Sequence, residues 1–225
     1  MSDAFRTFDL ANPGERETYF LLTGMVIPRP VAWISTLAPD GTANIAPFSF
    51  TTILSSEPPV VCFVSSGIKD SMRNAQETGD FVYNVGGEDL LEELNLTAAD
   101  LHRHESEFAW VRLTPLASDI VKSPRLGEAP ISMECKLVDV IPFGGGDGNL
   151  VAGEVVRIHI AERIITNDRV DPEKLRPICR LSGSNFATLG DIITLKRPNR
   201  QDLIDRGMQP AVAGVLDPEF GDELK

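Results

Sequence analysis

Apolar runs dominate residues 31–160, and they arrive in pairs separated by turn residues. Val31 to Leu37 is β-rich and is followed by Pro39-Asp40-Gly41, a turn signal. Extended sequence resumes at Asn44, so 31–37 and 43–53 are expected to form a hairpin. Glu57-Pro58-Pro59 interrupts the chain, and Val60 to Val64 is a continuous apolar run suited to a strand buried on both faces. The period then lengthens. Met72, Ala75 and Thr78 follow Lys69-Asp70-Ser71 at helical spacing, with Asp70 or Ser71 as the expected cap and Gly79 as the stop. Phe81 to Val85 predicts another strand, Glu88 to Leu94 a helix, and Thr97 to Phe108 a polar stretch with a helical turn or two. Ile131 to Ile141 alternates as a long strand does. The glycine-rich turn Phe143 to Gly148 then leads into a partner strand, Leu150 to Ile160.

The flanks are less regular. Residues 1–13 are polar, and Glu15 to Leu22 predicts a short helix with Tyr19 and Leu22 inward. Cys179 to Gly183 and Asp191 to Leu195 close the structured part. The expected organisation is an arm and short helix over 1–24, one domain over 25–196, and an extended or partly helical tail over 197–225. No internal repeat is evident. Strands outnumber helices and come as hairpins rather than βαβ units. A mainly β protein with peripheral helices is expected, an antiparallel barrel or sandwich.

Composition narrows the function classes. The 225 residues carry 21 Lys and Arg against 33 Asp and Glu, a net charge of −12. That sign disfavours nucleic acid and anionic membranes as partners. The acidic residues cluster in Glu88–Glu107 and from Asp202 to Glu223. Between Pro28 and Asn74, Arg29, Lys69 and Arg73 balance Asp40, Glu57 and Asp70, so an anionic ligand is acceptable there. No run approaches about 18 apolar residues, and the first residues show no secretory pattern. Cys62, Cys135 and Cys179 are an odd, widely spaced set, read as reduced thiols in a cytoplasmic protein.

Most candidate chemistry has a simpler structural explanation. The run from Gly144 to Gly148 is not followed by Lys-Ser/Thr and opens a strand, so it reads as a hairpin turn and not a phosphate loop. His102 and His104, near Glu105 and Glu107, point to different faces of a helix at that spacing, so no metal site is expected. His159 reads as a barrel-facing or interface histidine, and no serine triad is legible. Pro47 inside an extended run demands an edge strand or a bulge, which turns backbone amides outward toward a planar heterocycle. Ser35, Thr36 and Ser49 add hydroxyls. Lys69, Ser71 and the N–H groups of a helix start suit a phosphomonoester, with simple capping as the competing role.

These segments resemble the flavin reductase-like family of FMN-binding split β-barrels. The resemblance runs through Pro28-Arg-Pro-Val-Ala-Trp-Ile-Ser-Thr36, Asp40-Gly41, Asn44-Ile-Ala-Pro-Phe-Ser-Phe50, Pro58-Pro59, Lys69-Asp70-Ser71 with Asn74, and Phe81 to Asn84. Later echoes are Ser132 to Cys135, Gly153 to Val156 and Arg180 to Gly183, so the series spans about residues 20 to 195. It implies an antiparallel split barrel and a homodimer with FMN near the subunit interface. The isoalloxazine would lie against Ala46, Pro47, Phe48 and Ser49, with Pro30 and Trp33 nearby. The ribityl phosphate would lie near Ser35, Thr36, Ser65, Lys69, Asp70 and Ser71. It further implies an NAD(P)H-dependent flavin reductase, with a monooxygenase as one kind of electron acceptor. The alternatives are a flavoredoxin-like carrier without a nicotinamide site and a non-catalytic flavin-binding module. Hydride chemistry belongs to the cofactor, so no catalytic side chain is named. One departure stands out: Phe186 occupies a position where close relatives often carry Tyr.

Overall fold

A computed structural model describes residues 4–10, 15–143 and 147–208. Contacts divide the chain into two compact units, Met1–Leu189 and Gly190–Lys225. The first unit opens with helix α1 (Glu15–Met25). Strands β1 (Ala32–Leu37), β2 (Ala43–Phe48), β3 (Thr51–Ser56) and β4 (Pro59–Ser66) follow. Helix α2 (Asp70–Thr78) and strand β5 (Asp80–Val85) come next, then α3 (Leu91–Leu96) and α4 (Glu107–Val111). The long strands β6 (Ile131–Pro142) and β7 (Gly148–Ile160) precede α5, the turn Pro172–Leu175. In the second unit, α6 (Arg200–Asp205) is closed by a capping box from Asn199, and 209–225 lie outside the described residues.

Seven strands form one antiparallel sheet in the order β2-β1-β5-β6-β7-β4-β3. Its two edges, β2 and β3, are consecutive in the chain and are not hydrogen-bonded into a closed barrel. The sheet curls nonetheless. Side chains from β1, β4, β5, β6 and β7 meet α2 in one core built on Ile34, Phe63, Phe81, Val151 and Met72. Thr51 on β3 donates its hydroxyl to Tyr83 on β5, 3.1 Å away, although three strands lie between β5 and β3 in the sheet order and would hold them far apart in a flat sheet. This is a split β-barrel.

The expected hairpin over 31–37 and 43–53 is half correct. β1 and β2 pair in register from Ala32↔Phe48 to Leu37↔Ala43, but the chain leaves at Ser49-Phe50 and β3 joins the opposite edge. Pro47, which cannot donate to a ladder, explains why β2 sits at an edge. Successive residues of β1 face opposite sides. Ala32 and Ile34 enter the barrel core, while Val31 and Trp33 enter a second core with Ile45, Leu94, Phe108 and Leu126. The strand is therefore buried on both faces, as is the centre of β4 at Val61, Cys62 and Phe63.

Two expectations are corrected. Neither Asp70 nor Ser71 caps α2; the cap is Lys69, without a side-chain hydrogen bond, while Gly79 does end the helix at φ 82°. Tyr19 and Leu22 do not point inward. They are about half exposed, and among the described side chains of the helix Thr23 is the buried one, because α1 lies outside both cores. The hairpin β6–β7 is as expected, with two bulges, although 144–146 of its turn lie outside the described residues.

Gly153 shows how closely β7 approaches the barrel core. A Cβ there would lie 2.5 Å from the Phe81 ring and 3.0 Å from Cys135 Cβ. Phe81 is fully buried and has little room to move. Gly153→Ala is expected to lower stability by about 1–3 kcal/mol in urea unfolding, the usual cost of overpacking. An unchanged midpoint would show that the ring has room.

Candidate functional site

The edge strand β2 faces the start of α2 across a cavity of about 430 Å³. Ala46, Pro47 and Phe48 form one wall; Lys69, Asp70 and Ser71 form the other. The size lies within the range of small-molecule sites, roughly 300–1,000 Å³. Lys69, Arg73 and Arg103 line it together with Asp70, Asp100 and Glu107. Two of these cations are engaged: Arg103 reaches Asp70 at 3.1 Å and Glu77 at 2.7 Å, and Arg73 reaches Asp70 at 3.4 Å. Lys69 has no ion pair among the described residues. An unpaired ammonium beside an uncapped helix start is a suitable seat for a phosphate-sized anion.

A buried polar network holds the two walls in place. Glu107, 6% exposed, accepts hydrogen bonds from the Asn44 side-chain amide and from the Ile45 N–H, at 2.9 and 3.0 Å. Asn44 Oδ1 accepts the Ser71 hydroxyl at 2.9 Å and the Thr36 hydroxyl at 3.3 Å. Asn74 donates to Thr36 Oγ1 at 3.1 Å, and its own Oδ1 is buried without a partner. Burial pushes the Glu107 carboxyl above its ordinary value of 4.5, and the Asp70 charge adds to this; the Ile45 and Asn44 donors oppose it. The Ser71 hydroxyl proton is committed to this network.

The twelve residues singled out in the sequence separate into groups. Ala46, Pro47, Phe48, Lys69, Asp70 and Ser71 share the cavity. Ser49 lies beyond Pro47, in a second cavity of about 190 Å³ with Arg29. Trp33, Ser35 and Thr36 are fully buried and face neither cavity. Trp33 donates its indole N–H to Thr97 Oγ1 at 2.8 Å, and Ser35 donates to the Pro124 carbonyl. Ser65 donates to the Gly67 carbonyl at 2.8 Å, and Pro30 pairs with Cys179 in a short bridge outside the main sheet. None of these five lines either cavity. Thr97 to Leu101, Arg103 and Glu107 complete the cavity, and sequence reasoning missed them because they fall in the stretch read as polar loop.

The histidines take structural positions. His102 and His104 stack at 5.9 Å, and Glu105 accepts the His102 N–H. His159 Nε2 lies 2.7 Å from Glu134 Oε1. Asp119, Glu134 and His159 bring ligand-type atoms within 4.8 Å of one another, but both Glu134 oxygens already accept backbone N–H groups of the 119–121 loop.

Comparison with known proteins gives a consistent result. The sequence profile described as "Flavin reductase like domain" matches residues 24–171. An uncharacterized protein of Halalkalibacterium halodurans is 39% identical over 193 residues, covering 81% of this chain and 92% of that protein. The crystal structure of nitrilotriacetate monooxygenase component B from Bacillus cereus has a TM-score of 0.84 and 38% identity, over 86% of this chain and 100% of its own. That of the 2-nitrobenzoate 2-nitroreductase NbaA of Pseudomonas fluorescens has a TM-score of 0.80 and 28% identity, over 92% and 100%.

Proposed function

Because this chain belongs to the flavin reductase-like family, a family of flavin-binding oxidoreductases, we propose that it binds FMN between β2 and the start of α2 and passes hydride from NADH or NADPH through it. The observation that carries this reading is the cavity itself, with a proline-interrupted edge strand on one side and the unpaired Lys69 ammonium on the other. Bound FMN would supply the hydride-accepting ring, the chemistry no side chain here can provide.

The protein's part is positioning. Lys69 and the free N–H groups at the start of α2 hold the phosphate, and the Ala46–Phe48 wall sets the plane of the ring. Glu107 and Asn44 fix that wall relative to α2. A dimer is part of this reading. Ile53, Val138 and Ile158 stand more than half exposed on sheet strands, and a second copy would cover them. The likeness to a monooxygenase component favours an oxygenase as the acceptor of the reduced flavin. Three free cysteines fit the reducing cytoplasm.

Titration of the purified protein with FMN and riboflavin tests the site. Lys69→Ala is expected to weaken FMN roughly 5–30-fold, about 1–2 kcal/mol for one charge-assisted contact, and to leave riboflavin nearly unchanged. Equal losses would remove Lys69 from the phosphate role, and failure of the wild type to take FMN would overturn the assignment. Anaerobic addition of NADH and of NADPH to the loaded protein is expected to bleach the flavin. No bleaching by either would favour a flavoredoxin-like carrier.

A further inference from the structure

The cavity beyond Pro47 differs from the first in charge. The chain has 33 acidic residues, yet among the described residues no Asp or Glu lines this cavity, whereas Arg29 and Arg180 both do. Arg29 is 7% exposed. Its Nη1 donates to the carbonyls of Thr23 and Val26, both at 2.7 Å, and its Nη2 to the Leu181 carbonyl at 2.9 Å. Its Nε is 3.4 Å from Ser49 Oγ. All four acceptors are neutral. Arg180 donates to the Gly183 carbonyl at 2.6 Å and lies over the Phe186 ring, 4.4 Å from its centroid. Among the described residues neither guanidinium has a carboxylate within 4.0 Å.

A guanidinium removed from water without a counter-charge is costly, and carbonyl dipoles recover only part of the loss. Arg29 is such a group, and Arg180, only partly covered, adds a second guanidinium without a carboxylate at the same cavity, so the site favours an anion. Among the described residues Arg29 has one Nη2 hydrogen without an acceptor, and Arg180 keeps most of its fork, the geometry that carboxylates occupy bidentately. The remaining walls are apolar: Val31, Pro47, Leu94 and Phe186. At about 190 Å³ the space is below that of drug-sized ligands, which leaves room for a single ring.

We propose that this cavity binds a small aromatic carboxylate, with the carboxylate on Arg29 and Arg180 and the ring against the apolar wall. The inference rests on the FMN reading only in placing the acid beside the flavin, because Pro47 lines both cavities. Phe186 then has a definite role, since its ring face carries Arg180 at the cavity rim.

Calorimetric titration of the full-length protein with benzoate and with benzamide, each with and without FMN, tests this. Benzoate is expected to bind at least ~10-fold more tightly than its neutral isostere, the scale of a charge-assisted fork. Arg180→Gln, at a partly exposed position that should not disturb folding, is expected to remove that preference while leaving FMN affinity within about twofold. Equal binding of the two probes, or benzoate binding unchanged in the variant, would overturn the proposal. So would a loss of FMN affinity as large as that of benzoate, since the arginines would then serve the flavin. A wild type that binds benzoate but not FMN would uphold this site while overturning the flavin reading.

Discussion

Glu134→Ala is expected to lower the unfolding free energy by about 3 kcal/mol at neutral pH, the scale of stripping several charge-assisted bonds from a buried carboxylate. Glu134 is fully buried on β6. Oε1 accepts the Asp119 N–H at 2.8 Å, and Oε2 accepts those of Ile120 and Val121 at 2.7 and 3.1 Å. On the neighbouring strand, Asp80 holds the next part of the same loop through Lys122 and Ser123. One carboxylate thus replaces the ladder that these loop amides lack. Burial alone would raise the Glu134 carboxyl, but the Asp119 N–H, His159 and the Ile120 and Val121 N–H groups together hold it below its ordinary value of 4.5. A depressed carboxyl contributes stability that is complete above its unfolded pKa and is lost as pH falls through the folded one. Urea unfolding from pH 7 down to pH 3 is therefore expected to show an acid-side decline that Glu134→Ala largely removes. A decline of equal steepness in the variant would transfer that role to other carboxylates, Asp80 foremost.

Glu107→Ala is expected to cost about 2–4 kcal/mol and, in addition, to weaken FMN uptake about tenfold. The stability loss comes from leaving the Ile45 N–H and the Asn44 amide unsatisfied in a buried position. The binding loss comes from freeing the edge strand whose next residues, Ala46 to Phe48, wall the cavity. Glu107→Gln separates charge from geometry, because the amide oxygen can still accept the Ile45 N–H. The sign here is opposite to that at Glu134. A carboxyl raised by burial loses stability as pH climbs from its unfolded pKa through its folded one, and the penalty persists above that. The wild type should thus lose some stability between about pH 4.5 and neutrality, and Glu107→Gln should lose less over the same interval. Unfolding measured at pH 4.5 and pH 7.5 checks this. If Glu107→Ala kept full FMN affinity, the network would be structural and unrelated to the site.

The difference between these two glutamates was not visible in the chain. Glu134 sits in an alternating strand where a charged residue ordinarily faces solvent, and Glu107 sits in a segment that reads as polar loop. Each is buried because loop backbone from elsewhere, or an edge strand, presents N–H groups to it. Such long-range polar pairing leaves no local period to read. Trp33 shows the same limit in reverse. Its place in the motif suggested a neighbour of the ligand, yet the pleat turns it into the second core, where it bonds Thr97. The hydroxyls of Ser35 and Thr36 are used up by Pro124, Asn44 and Asn74 contacts for the same reason.

Local chemistry carried far into the fold elsewhere. Pro47 forbids an interior ladder position, and β2 is an edge strand. Gly79 permits the left-handed stop of α2, and the alternation in 131–141 and 150–160 yields the long hairpin. These outcomes depend on one or a few adjacent residues, so backbone sterics and period two suffice to dictate them. The class of fold, the edge strand beside the cavity, and the Lys69 helix start are all of this kind. The departure of β3 to the far edge, the burial of Glu107, and the meeting of Arg29 with Arg180 are not. Arg29 and Arg180 are separated by most of the chain and converge because the short bridge Arg29–Pro30 pairs with Cys179–Arg180. Only the closing of that long loop brings two unpaired positive charges to one cavity wall, and so makes it a place for an anion.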